Sequence, residues 1–266
     1  MIAAIIQARM TSSRLPCKVM LPINGKPVLD IMIDRVKKAK KIDKIVVATT
    51  KNELDDIIVN LCQTKNIEYF RGSENDVLER FYETSKKFAV DIIVRLTSDT
   101  PLIDAKSIDD VIKLYENTNS DFTSNFFPFP RTFPDGYNVE VFSMKILERI
   151  HNEAKKPSDR EHVTTYITMQ PERFSIKRLD YKKDVSKFRL NLDYEKDYLF
   201  IKKVFENFSK NIESFSLEEI LEWLENNPDI VKINADIKPY ENIIKSFEDD
   251  SKCGFEPYKN NYYLKS

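Results

Sequence analysis

Glycine is scarce in this chain of 266 residues, with only four present. A glycine-rich phosphate loop is excluded: the chain has neither the G-x-x-x-x-G-K-[ST] spacing of a Walker A loop nor the G-x-G-x-x-G of a dinucleotide site. Cysteine is scarce too. Cys17, Cys62 and Cys253 are scattered and odd in number, so they make neither a disulfide framework nor a zinc spacing. There is no charge of one sign to speak of, with 42 cations against 43 anions and a net charge of −1. That balance gives no global field for nucleic acid, so any polyanion site must be local. No apolar run approaches the length of a membrane span, and no charged n-region of a signal peptide precedes Ile2. The expectation is a reduced, soluble, cytoplasmic protein with no nucleic-acid partner and no membrane insertion.

What is present fits a globular α/β chain. Hydrophobic residues make up 41% and charged residues 32%, enough to bury a sizeable core behind a solvated surface. Ile2–Ile6 is a short apolar run of the length of a buried parallel strand. Strand patterns follow at 44–48, 67–70 and 91–96, and amphipathic helix patterns between them at 27–40, 54–62 and 76–88. This alternation predicts βαβ units and a parallel sheet. The second half is less regular. Four phenylalanines and three prolines within 126–134 forbid a regular element and suggest an ordered lid or insertion. Strands are then expected at 138–142, 173–179 and 188–192, and helices from 143, across 159–169, at 195–208 and at 217–225. The tail after Pro228 is rich in lysine and tyrosine, with weak periodicity. Its alternatives stay open: wrapping the body, forming a homodimer, or partial disorder.

The first strand runs into a polar loop. After Gln7 come Ala8, Arg9, Thr11, Ser12, Ser13, Arg14 and Lys18. Hydroxyls, backbone N–H groups and three cations after a buried strand are what a triphosphate needs, since they wrap and neutralise its phosphates. Ile6-Gln-Ala-Arg-Met-Thr-Ser-Ser-Arg-Leu-Pro-Cys-Lys18 resembles the loop of the cytidylyltransferase family, roughly Q/P-A-R-x-x-S-x-R-L-P-G-K. That family takes in the CMP-sugar synthetases and SpsF-type spore-coat polysaccharide proteins. The departure is Cys17 in place of the family glycine, where a Cβ makes positive φ costly.

Further stretches carry the resemblance, which covers roughly residues 1 to 205 with its motifs in the family order. Arg95-Leu-Thr-Ser-Asp-Thr-Pro-Leu-Ile-Asp104 is similar to R-x-T-G/A-D-x-P-L-I/V-D, with Ser98 where glycine or alanine is usual. The resemblance implies that Asp99 holds Mg²⁺ on the nucleotide phosphates, with Arg95, Thr97 and Ser98 beside the nucleotide. It gives Arg9 and Lys18 the β- and γ-phosphates, Arg14 the ordering of the loop, and Gln7, Ala8 and Ser12 nucleotide contacts. Asp104 reads equally as a helix cap. Arg189-Leu-Asn-Leu-Asp193 implies a second metal ligand in Asp193, with an N-cap as the alternative; Arg189 reads as a sugar or phosphate contact or as surface. Asp135-Gly-Tyr-Asn-Val-Glu140 and Arg160-Glu-His-Val-Thr164 resemble stretches that line the acceptor pocket. They point to Asp135, Asn138, Glu140, Arg160 and His162, with Asn125 of Asp121-Phe-Thr-Ser-Asn125 bordering the same site. His162 is either a general base or a core residue.

The resemblance implies a three-layer α/β/α nucleotide-diphospho-sugar transferase (Rossmann-like) fold with a mixed, mainly parallel sheet. Residues 1–228 form the nucleotidyltransferase domain, with an acceptor-binding insertion at about 121–165, and 229–266 form an extension. The activity implied is Mg²⁺-dependent transfer of CMP from CTP to a sugar, expected to be acidic and destined for a surface polysaccharide or glycan. Alternatives are another base, a non-sugar acceptor, or a nucleotide-binding protein without activity. A nicotinamide-dependent oxidoreductase shares the strand–helix alternation but needs the missing glycine fingerprint.

Overall fold

The computed structural model describes residues 1–259 and Tyr263. β1 (Ile2–Gln7) leads through a long loop and a two-stranded ribbon, β2 (Pro22–Ile23) and β3 (Lys26–Pro27), into α1 (Val28–Val36). Then come β4 (Lys44–Thr50), α2 (Asp56–Thr64), β5 (Glu68–Gly72), α3 (Val77–Lys87) and β6 (Ile92–Thr97). β1 pairs in parallel with both β4 and β6, and β5 extends the parallel set beyond β4. After α4 (Ala105–Thr118), β7 (Phe122–Ser124) and β8 (Glu140–Ser143) join the same sheet. β8 runs antiparallel to β6 and to β7. α5 (Met144–Glu153), α6 (Pro157–His162) and α7 (Thr165–Thr168) precede β9 (Ile176–Arg178), which pairs in parallel with β7. The seven-stranded order is β5-β4-β1-β6-β8-β7-β9, a mixed and mainly parallel sheet.

Alternation along β1 shows how the layers form. Ala4 and Ile6 face one core, with side chains of α1, α2, α4 and of the later α8 (Glu195–Asn207) and α9 (Leu217–Asn226). Ala3 and Ile5 face the other, with α3, α5 and α7. The sheet is therefore buried on both faces, which is why its parallel strands read as continuous apolar runs rather than alternating ones. Each fully buried Ile, Val or Phe contributes about 1.5–3 kcal/mol.

Three expected elements differ. The helix across 159–169 breaks at Val163, whose φ of 64° ends α6, and Thr164 restarts the chain as α7. The strand over 173–179 contracts to Ile176–Arg178, because its partner β7 offers only three residues. Residues 188–192 form no ladder beyond one bridge between Asp135 and Arg189. Here Gly136, at φ 79°, turns the partner chain away, and a Cβ on it would stand 2.3 Å from the Asn191 nitrogen. Only glycine allows this close approach.

The segment 121–165 supplies β7 and β8 to the main sheet. The rings at 126, 127 and 133 are buried. After α9 come α10 (Pro228–Val231) and α11 (Glu241–Lys252). Asp250 on α11 accepts hydrogen bonds from Ser158 N (2.9 Å) and Oγ (2.5 Å) at the start of α6. Residues 260–262 and 264–266 of the expected extension lie outside the described residues.

Candidate active site

Two loops leave the carboxyl end of the sheet side by side, because Gln7 and Thr97 are in register on adjacent parallel strands. The strand order changes direction here, β4 lying on one side of β1 and β6 on the other, which is where open α/β sheets bind ligands. The first loop is tied down by Asp55, a buried carboxylate at the start of α2. It accepts from Met10 N (2.8 Å), Thr49 Oγ1 (3.0 Å) and Thr50 N (3.1 Å). Thr11 donates to Glu74, and Arg9 approaches the same carboxylate at 3.5 Å. The loop closes at Cys17, whose N–H donates to Met10 O (2.9 Å) and whose φ is 60°. The cysteine therefore holds the left-handed conformation that suits a glycine, and it starts a short 3-10 turn at Lys18–Met20.

Lys18 is the centre of the site. Its ammonium, on a residue only 8% exposed, donates to Asp99 Oδ2 (3.0 Å), Asp193 Oδ1 (2.8 Å) and Leu192 O (2.9 Å). Burial alone would push its pKa down, yet the two carboxylates outweigh that and raise it. Asp193 is the mirror case. Burial works to raise its pKa, but Lys18 and then Arg14, 2.6 Å away, bring it down to about 2. Asp193 does not cap α8. Asp197 does so, accepting from Asp193 N and Tyr194 N, both at 3.0 Å. The Asp193 carboxylate is thus left for Lys18, Arg14 and the Asn191 amide (2.7 Å). Asp104, by contrast, is a cap, accepting from Ser107 N (2.6 Å) and from Leu217 N (2.8 Å).

A cavity beside Lys18 is lined by Gln7, Ala8, Arg9, Ser12, Arg14, Arg95, Thr97 and Ser98, all expected to meet a nucleotide, and by Asp99, expected to hold its metal. A second cavity shares Arg14, Arg95, Thr97, Asp99 and His162 with the first. It adds Asp135, Asn138, Glu140, Arg189 and Asp193. Within it, Arg95 pairs with Glu140 (2.5 Å) and donates to Gln7 Oε1 (3.0 Å). Burial raises the Glu140 pKa, with Arg95 opposing. Arg189 bridges Asp135 (2.8 Å) and Asp197 (2.8 and 2.9 Å), and these acids drive its pKa up despite burial.

Two expected acceptor residues are not brought to the cavity walls. Asn125 is fully buried and holds Tyr137 O (2.6 Å) and Val139 N (2.9 Å), shaping the loop behind the site. Arg160 turns away to grip Asp76 (2.6–3.0 Å) at the start of α3. His162 lines both cavities, but its Nε2 is engaged by Ser246 Oγ of α11 (2.8 Å). Burial pushes its pKa down to about 4, so it is neutral near pH 7.

Asp99 and Asp193 converge on one cation-sized position held by the Lys18 ammonium. Their hard oxygens suit a divalent ion that completes its shell with phosphates and water. Among the described residues, no group of three or more His, Cys, Asp or Glu is placed to hold a metal alone.

Sequence reasoning missed Arg80. It is 2% exposed and lines the first cavity, and its guanidinium donates to Ser73 O (2.6 Å) while its Nε has no partner among the described residues. Burial first, and then Arg9, bring its pKa down to about 10. Its stem passes over Gly72, where a Cβ would meet the Arg80 Cγ at 2.8 Å. An arginine at the helical spacing of Val77, Leu78 and Phe81 was the available signal. Lys238, Tyr240, Asn242 and Tyr263 of the tail, which line the second cavity, gave no signal at all.

A family profile described as Cytidylyltransferase matches residues 3–260. An uncharacterized protein of Methanocaldococcus jannaschii is 36% identical over 239 residues, which are 89% of this chain and 96% of that protein. The spore coat polysaccharide biosynthesis protein SpsF of Bacillus subtilis is 33% identical, over 85% of this chain and 94% of its own length. Among solved structures, a cytidylyltransferase from Leptospira borgpetersenii superposes with a TM-score of 0.82 at 34% identity, covering 90% of this chain and 99% of that one.

Proposed function

This chain belongs to the cytidylyltransferase family, and we propose that within it the protein transfers CMP from CTP to a sugar that carries an acidic group. The observation behind this reading is Lys18, whose ammonium joins Asp99 and Asp193 where the two cavities meet. In the reaction, an oxygen of the acceptor forms a bond to the α-phosphorus. The bond from that phosphorus to the bridging oxygen of the β-phosphate breaks, and its electron pair leaves on pyrophosphate. An anionic oxygen needs no base; a hydroxyl acceptor gives its proton to solvent in the open cavity.

The triphosphate lies in the first cavity, where Arg9, Arg14, Lys18, Arg80 and Arg95 are the lining cations. Lys18 and Arg14 neutralise the charge that develops as pyrophosphate departs, and the loop anchored by Asp55 fixes them before the substrate arrives. The acceptor lies in the second cavity, among Asp135, Asn138, Glu140 and Arg189. Asp99 and Asp193 are the residues that would hold Mg²⁺. When bound, the ion supplies positive charge that offsets the phosphates. Lys18 would then yield one or both carboxylates and turn its ammonium toward phosphate.

The test is pyrophosphate release from each of the four nucleoside triphosphates with Mg²⁺, against a panel of acidic sugars, sugar phosphates and neutral sugars. Release with CTP and one acceptor is expected. Release with another triphosphate in place of CTP, or none with any pair, would overturn this reading.

A further inference from the structure

The C-terminal segment crosses the mouth of the acceptor cavity. It leaves the body at Asn234, whose amide donates to Arg189 O (3.2 Å) and Asp197 Oδ1 (2.9 Å) on one wall. It is held again at Ser246, bonded to His162 of the cavity lining, and at Asp250, bonded to Ser158. Between these anchors, Lys238, Tyr240, Glu241 and Asn242 line the cavity, and Asn242 also touches the nucleotide side. The crossing is held in place. The Tyr240 ring stands edge-on to Phe129 (5.4 Å) and Tyr263 (5.3 Å) and lies 5.1 Å from the Arg131 guanidinium. Tyr194 Oη donates to Glu241 (2.9 Å).

Charge gives the crossing a chemical meaning. Arg14, Arg95 and Arg189 line the cavity, but each already faces a carboxylate of the protein: Asp193, Glu140, and Asp135 with Asp197. Among the described residues lining the cavity, Lys238 is the one cation with no acidic partner in the structure. Lys238 is exposed, and an anion that meets it displaces no carboxylate of the protein, whereas each of the arginines must first exchange a partner.

We propose that residues 238–246 form the fourth wall of the acceptor site, and that Lys238 reads an anionic group on the sugar. This rests on the second cavity being the acceptor site. The shared chemistry is a carboxylate or a phosphate carried on a polyhydroxylated ring.

The test uses the full chain as wild type, Lys238→Ala and Lys238→Arg. Pyrophosphate release is measured with CTP and Mg²⁺ against sugar acids (3-deoxy-octulosonate and N-acetylneuraminate), hexose 1-phosphates, and neutral mannose and N-acetylmannosamine. Calorimetric titration of the same sugars runs in parallel. Wild type should prefer one anionic class. Lys238→Ala should raise the KM for that acceptor tenfold or more, with the KM for CTP within twofold, and Lys238→Arg should restore it. The separate arms tell a carboxylate from a phosphate. An unchanged acceptor KM, or an equal rise in both KM values, overturns the proposal. So does a wild-type preference for neutral sugars, which leaves cytidylyl transfer standing. If CTP binds but no acceptor yields pyrophosphate, the transferase reading fails. Calorimetry then decides separately: anion binding lost in Lys238→Ala supports the role of Lys238, and no anion binding by wild type overturns it.

Discussion

Replacing Lys18 with methionine keeps the apolar stem and removes the ammonium between Asp99 and Asp193. Two carboxylates that share one cation then face each other across a buried gap. Arg14 remains within 2.6 Å of Asp193, so that acid keeps a cationic partner, while Asp99 loses its one ion-pair partner among the described residues. The magnitude follows from Asp193, which is brought from the ordinary 3.8 down to about 2. Two units correspond to about 2–3 kcal/mol at neutral pH, and Lys18 supplies the larger share of the downward pull. We expect Lys18→Met to lose roughly 2 kcal/mol of stability at pH 7, read by urea denaturation. The sign with pH is fixed by linkage. A carboxyl with a depressed folded pKa stabilises the fold above its unfolded value, and that contribution disappears as pH falls through the folded value. The gap between wild type and variant is therefore full above about pH 4 and closes toward pH 2. Millimolar Mg²⁺ should raise the Tm of the variant more than that of wild type, since no ammonium competes for the two acids. A variant as stable as wild type at pH 7, or a gap that stays flat down to pH 3, would refute this account of the site.

Arg80→Met should do the opposite in the free protein. A guanidinium brought by burial from 12.5 to about 10 opposes folding by roughly 3 kcal/mol at pH 7. The variant should gain about 1–3 kcal/mol in urea while binding CTP at least tenfold more weakly by calorimetry; undiminished affinity would sink the phosphate role of Arg80. Asp159 is raised to about 7, chiefly by burial and by Asp250, against Tyr258, Lys156 and Arg160. A raised carboxyl takes up a proton on folding, so stability grows as pH falls from about 7 toward 3.8. Hydrogen exchange across 241–258 should be slower at pH 5.5 than at pH 8, once corrected for intrinsic rates, and Asp159→Asn should abolish the difference. Cys17→Gly relieves a positive φ but loosens the unfolded chain, so we expect a change within about 1 kcal/mol and CTP affinity within threefold. Cys17→Val should cost about 1–2 kcal/mol, measured in the same urea series.

The parts legible in the sequence are those in which neighbouring residues do neighbouring work. A strand of Ile and Ala, then hydroxyls and cations, announced the loop from Gln7 to Lys18. The run ending at Leu96 placed Asp99 at the sheet edge. What could not be read depends on contacts between distant segments. Residues 188–192 look like a strand by alternation, yet their backbone is matched to the turn at Gly136 rather than to a ladder. Arg160 sits in an acceptor-type motif but is captured by Asp76, 84 positions away. His162 reads as a catalytic candidate until Ser246 arrives from a tail with no periodicity of its own. Asp193 was open between cap and ligand, and only the presence of Asp197 at the cap frees it.

These pairings also explain how a chain with a net charge of −1 can hold a triphosphate. Its site is not a basic funnel. Arg14, Lys18, Arg95 and Arg189 are each matched to a carboxylate in the free protein. Nucleotide and acceptor must enter by exchange of partners, with the cations already desolvated and fixed before they are needed. Desolvated, oriented charges interact more strongly with a phosphate than solvated ones do, because the local dielectric is low and no reorganisation remains. Each exchange would also leave a carboxylate without its cation, and this is where a divalent ion would complete the arrangement. On the proposed reading, Lys18 would turn to phosphate and leave Asp99 and Asp193 as the two hard oxygen donors that such an ion would take. The same residues therefore keep the empty site neutral and ready the loaded one for metal and nucleotide together. Arg80 and Lys238 stand outside this exchange. One is buried beside the nucleotide cavity and the other lies over the acceptor cavity, and neither has an acid to surrender.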